Sequence, residues 1–211
     1  MTWSLNEIEA LSRKATRGAG YSWGLAEEAG RAVRWLEAHS LPGAAALVGH
    51  LQAMDGQALS ALTPDLKTWA ATGGAACPIL AGTMLADGLA GGDADELDLP
   101  SVNAPLLLLP FLSWMAEAQD RAVALDLADT AIALGPDGML CASGKITAPG
   151  AGPVTLQFGA SPLGAPITEG LRSACDAAIV AALNTFAHRT YAPSTEESRL
   201  AGAGAGLSDN D

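Results

Sequence analysis

Few side chains in this sequence could do chemistry, and they are scattered. His39, His50 and His188 fall on separate segments with no His-x-His or His-x-x-x-His pair, so their spacing offers no metal chelate. Each reads as a surface or satisfied polar residue. Cys77, Cys141 and Cys175 are an odd set without a Cys-x-x-Cys pair, which predicts buried thiols acting as small hydrophobes rather than a disulfide framework. The acidic group Asp87, Asp93, Asp95, Glu96 and Asp98 lacks the ligand rhythm of a calcium loop and reads as solvated. A serine nucleophile would need an elbow such as Gly-x-Ser-x-Gly; Ala142-Ser143-Gly144-Lys145 has no glycine two positions before the serine. The run Gly202–Gly206 has neither a strand before it nor a helix after it, as a phosphate cradle requires. No cofactor and no metal are expected.

Carboxylate chemistry is what remains. Asp126 lies opposite the apolar face of an alternating run and Asp129 begins the next, so with Arg121 and His188 they form the candidate catalytic set. Among five tryptophans, Trp23 and Trp114 are the candidate ligand-binding rings, since large amphipathic side chains line pockets and interfaces. Arg199, Gly202 and Gly204 are the candidate partner contacts in a Gly-rich tail, residues 193–211.

Elements that must position these groups follow from spacing. Ser4-Leu5-Asn6-Glu7 is a capping-box pattern, and Leu5, Ile8, Leu11 and Ala15 recur at helical intervals up to Gly18. A second helix starts near Ser22, with Leu25, Ala29, Ala32, Val33 and Leu36 on one face, and a third covers Ala44–Met54 after Leu41-Pro42-Gly43. Residues 57–103 read as short helices and an acidic loop. From Ala104 to about residue 160 the pattern predicts a meander of about five antiparallel strands. Val123–Leu127 alternates, Thr130–Leu134 and Met139–Ser143 flank the turn Gly135-Pro136-Asp137-Gly138, and Val154, Leu156 and Phe158 alternate again. Thr168 then caps a long helix to about Arg189. The expected fold is α+β: an N-terminal helical layer, the strand meander, and a long C-terminal helix packed on the sheet, in one domain over residues 1–192.

The chain has 211 residues, with 11 Lys+Arg against 23 Asp+Glu and a formal charge of -12. Such a field opposes nucleic acid and anionic membrane, so neither is an expected partner. No apolar run reaches the roughly 18 residues of a membrane span, and the N-terminus has no basic and apolar leader pattern. A soluble, cytoplasmic protein is expected. Abundant Ala and Gly with three lysines point to a high-GC bacterial origin.

Leu5–Leu11, Gly20–Gly30 and Tyr191–Gly204 resemble an uncharacterised family of proteobacterial proteins, which implies an intracellular bacterial protein and carries over no catalytic residue. The opening helices are also similar to those of the malate/lactate dehydrogenases that lack a Rossmann fold. Ser40-Leu41-Pro42-Gly43 stands where that family has Ser-His-Gly, so NAD chemistry is not carried over. Two functions follow as expectations. One is an accessory or binding protein acting through homo-oligomerisation or association with a metabolic enzyme. The other is a small-molecule enzyme with a carboxylate-based site in a sheet/helix cleft.

Overall fold

The computed structural model describes residues 2–90, 94–159 and 164–191. A two-residue strand, β1 (Trp3–Ser4), leads into α1 (Leu5–Gly18). Ser4 and Glu7 form the capping box, the Ser4 hydroxyl accepting from the Glu7 amide and the Glu7 carboxylate accepting from the Ser4 amide. Helices α2 (Trp23–Ala38) and α3 (Gly43–Met54) follow as expected, α1 and α2 packing closely. Gly18 sits against α7 (Ala177–Ala187), where a Cβ would meet the Phe186 carbonyl oxygen at 1.9 Å; only glycine allows that approach.

The middle third departs from expectation. After the short α4 (Leu59–Leu62) and α5 (Pro78–Ala86) comes a strand, β2 (Glu96–Val102), in the stretch 57–103 that was expected to hold only short helices and an acidic loop. Leu97 and Leu99 alternate with Glu96, Asp98 and Pro100, and the strand lies at the sheet edge, the place that tolerates a proline. The Leu-rich segment after Ala104 is helical rather than part of the meander: a 3-10 turn, Pro105–Leu108, runs into α6 (Leu109–Gln119). Leu106 to Leu109, Phe111 and Leu112 are all buried, so no period of exposed residues betrays the helix. Pro105 and Pro110 sit in first turns, where a missing amide costs nothing.

Strands β3 (Val123–Leu127), β4 (Thr130–Leu134), β5 (Leu140–Ala142), β6 (Gly152–Phe158) and β7 (Ala165–Ile167) complete a six-stranded antiparallel sheet, ordered β2-β6-β3-β4-β5-β7. The Gly135–Gly138 turn joins β4 to β5, with Gly138 at φ 78°. A two-residue strand, β8 (Arg172–Ser173), pairs with β1 and ties the end of the domain to its beginning. The closing helix starts at Ala177, capped by Asp176, not at Thr168. It packs chiefly against α1 and α3, so it joins the helical layer. Among the described residues no helix is long and apolar enough to cross a membrane.

Candidate functional site

A cavity of about 770 Å³ opens where the α2–α3 turn, the segment after β5 and the N-terminus of α7 meet. Its floor is built by an unusual helix end. The Leu41 amide donates to the Leu36 carbonyl and the Ser40 amide to the Glu37 carbonyl, the pattern that places a left-handed residue after the C-cap. Glycine is the usual occupant; here Ser40 holds φ 57° and lines the cavity.

Glu37, 7% exposed, is the hub of this corner. A carboxylate in the last turn of α2 opposes the helix dipole, so it needs partners elsewhere. It finds them at the N-terminus of α3, where its Oε1 accepts from the Ala44 amide at 2.9 Å, and on β8, where Oε2 accepts from the Ser173 hydroxyl at 2.6 Å. The Ser173 oxygen in turn accepts from the Cys175 amide. One carboxylate therefore caps α3, whose N-cap Pro42 has no side chain to do so, and fixes the strand leading to α7.

His39, 4% exposed, stacks against Trp35 and donates Nδ1–H to the Trp35 carbonyl at 2.8 Å. A carbonyl can only accept, so Nδ1 carries a proton in this arrangement. Glu169 Oε1 stands 3.8 Å from Nε2, beyond hydrogen-bond reach. On the opposite wall, Lys145 is held through its own carbonyl, which accepts from the buried Thr130 hydroxyl. Burial, then Glu37 and Asp176, push the Cys175 thiol up to about 11, so it lines the cavity protonated at neutral pH.

A second constellation is sealed in the core. Asn103 follows β2 and is stitched to Ala76 through backbone pairing, which brings it beside Cys77 at the start of α5. His50 Nδ1 donates to Asn103 Oδ1 at 3.0 Å, leaving Nε2 to accept from the Tyr21 hydroxyl at 2.8 Å. The Cys77 sulfur lies 3.3 Å from the Tyr21 oxygen and 3.4 Å from His50 Nε2. Thiol, imidazole and carboxamide in this order are the parts of an activated nucleophile. Burial overrides that chemistry: Tyr21 is 2%, His50 and Cys77 0% and Asn103 7% exposed. It lowers the imidazole to about 4 and raises the thiol and the phenol, so all four groups are neutral and mutually satisfied.

Both constellations draw on the first third of the chain. Residues 3–77 match the family described as "Protein of unknown function (DUF3726)". The likeness to an uncharacterised family read from the sequence holds over this stretch. The DUF3726 match takes in Tyr21, Glu37, His39, Ser40, His50 and Cys77, and its description carries no activity to transfer. No curated protein and no solved structure matches the chain.

The sequence candidates lie elsewhere. Asp126 is exposed on the outer sheet face, in a shallow hollow of about 450 Å³ that Thr155 and Gln157 share, and Asp129 is exposed in the β3–β4 turn. Arg121 precedes the other end of β3, five residues or about 16 Å of extended chain from Asp126. There it pairs with Asp95 at 3.0 Å and lies over the Phe158 ring. His188 belongs to a 3-10 turn, His188–Thr190, with its ring against Tyr191. Trp23 is exposed beneath Arg17 beside a small hollow, and Trp114 packs on Phe111 under Arg31; neither lines the large cavity. Arg199, Gly202 and Gly204 lie outside the described residues. Among the described residues no three His, Cys, Asp or Glu side chains cluster as a metal site. The signal that could have found the cavity is Glu37, a carboxylate at the dipole-unfavourable end of an otherwise apolar helix face.

Proposed function

We propose that this protein binds a small organic molecule in the cavity between the α2–α3 turn and the end of β5. This is the small-molecule reading of the sequence, moved from the carboxylates of β3 to Glu37, His39 and their neighbours. The observation that carries it is the cavity itself, about 770 Å³, with His39, Glu37, Lys145 and Cys175 brought to its wall from separate elements. The volume falls in the range of small-molecule sites, and the lining is mainly apolar with a few convergent polar groups. The reading by association rests on Arg199, Gly202 and Gly204, which lie outside the described residues.

A metabolite thermal-shift screen tests the proposal. A ligand of the folded state raises the melting temperature by mass action. The control is Ile179→Trp, which places an indole in the cavity from the first turn of α7. A hit that stabilises the parent and not Ile179→Trp supports the proposal. A broad library in which the two proteins respond alike overturns it.

A further inference from the structure

Glu37 is a buried charge that the fold hydrogen-bonds and leaves without a counter-ion. It lines the cavity at 7% exposure, and each carboxylate oxygen accepts one internal bond, from the Ala44 amide and from the Ser173 hydroxyl. A carboxylate offers about four lone-pair sites, so about two are not used by these donors. Helix dipoles do not supply the missing positive charge. Glu37 lies in the last turn of α2, which carries about half a negative charge, and caps the start of α3, which carries about half a positive one, so the two offset each other. Among the described residues Glu37 makes no ion pair. Lys145 and Arg172 also line the cavity, but both stand at exposed positions, and Arg172 acts on Glu7. Carboxylates buried to this degree are as a rule paired. Cys175 on the same wall reports the sign of the local field: after burial, the groups that push its thiol up are the carboxylates of Glu37 and Asp176.

We infer that the cavity binds a small protonated amine with an apolar body, its ammonium group set against the Glu37 carboxylate and its body against Leu41, Ile146, Ile167 and Ile179. The inference rests on the cavity reading above. An ammonium brings a full positive charge and three donors to a carboxylate with unused lone pairs, whereas an anion would meet Glu37 at the same wall. A metal ion would need several such ligands, and among the described residues no three His, Cys, Asp or Glu side chains cluster. The wall is mainly apolar, so burial of an apolar body there offsets the hydration that the ammonium gives up.

Thermal shift and calorimetry on the full chain test this with two matched sets of probes: hexylamine, hexanol and hexanoate, and benzylamine, benzyl alcohol and benzoate. The amines at about ten times their dissociation constants should raise the melting temperature by about 3–6 °C. The alcohols should bind at least about tenfold more weakly, and the carboxylates should give no shift. Glu37→Gln keeps an oxygen for the Ala44 amide and removes the charge, so amine binding should fall to that of the alcohol. Lys145→Gln, at an exposed position, should not weaken the amines. Should Glu37→Gln fail to fold, the preference of the parent for amine over alcohol decides alone. If the alcohols stabilise the parent as well as the amines do, and Ile179→Trp responds to neither, the amine assignment falls and the cavity reading stands. A larger shift with the carboxylates, a folded Glu37→Gln that keeps the amine preference, or no shift from either amine overturns the proposal.

Discussion

Acidification from pH 7 to pH 5 should weaken this protein through one residue. In an unfolded chain His50 titrates near its ordinary 6.5; burial in the fold lowers it to about 4, against partial support from Asn103. Between those values the unfolded state takes up a proton that the folded state refuses. Stability is therefore full above about pH 6.5, declines as pH falls through the window, and is fully lost as a contribution below about pH 4. The ceiling is about 3 kcal/mol, and about 2 kcal/mol is gone at pH 5, a melting-temperature drop of about 4–8 °C for a domain of this size. Glu7, Asp55 and Asp65 are held below the ordinary carboxylate values by hydrogen bonds, so their contributions disappear only at lower pH and leave the window from 5 to 7 to His50. Urea unfolding followed by tryptophan fluorescence at pH 7.0, 6.0 and 5.0 measures the slope, with His50→Gln as the non-titrating control. Parent stability at pH 5.0 within about 0.5 kcal/mol of that at pH 7.0, or an equal slope in His50→Gln, would refute the reasoning.

Two further outcomes test the corner that builds the cavity. Glu37→Ala strands the Ala44 amide and the Ser173 hydroxyl and should cost about 3–5 kcal/mol in equilibrium urea unfolding, with Glu37→Gln recovering part of the loss. Ser40→Gly relieves a non-glycine residue at φ 57° and should raise stability by about 0.5–1 kcal/mol, read as a higher urea midpoint at unchanged slope.

The helical layer was legible because its signals are local. Ser4 and Glu7 close a box within one turn, and the Leu5–Ile8–Leu11–Ala15 stripe needs only the helix period to be recognised. Gly135–Gly138 likewise declares a hairpin through φ preferences alone. Residues 105–119 were not legible, since burial on every side of α6 removes the contrast on which periodicity depends. The alternation in β2 was present, yet acidic neighbours and Pro100 masked it, and only its edge position makes that proline acceptable.

The site divides in the same way. By itself the sequence determined an acidic α+β chain with unpaired cysteines and no chelating or nucleophile motif. Tertiary structure alone decided that Glu37 would reach Ser173, 136 residues away, that His50 would meet Tyr21, Cys77 and Asn103, and that His39 would line a cavity. The reason is physical: a motif announces itself when one short segment supplies all its groups at a helix, strand or turn spacing. These groups come from separate elements, and what joins them is the packing of α2 and α3 against the strands and helix that return at the end of the chain.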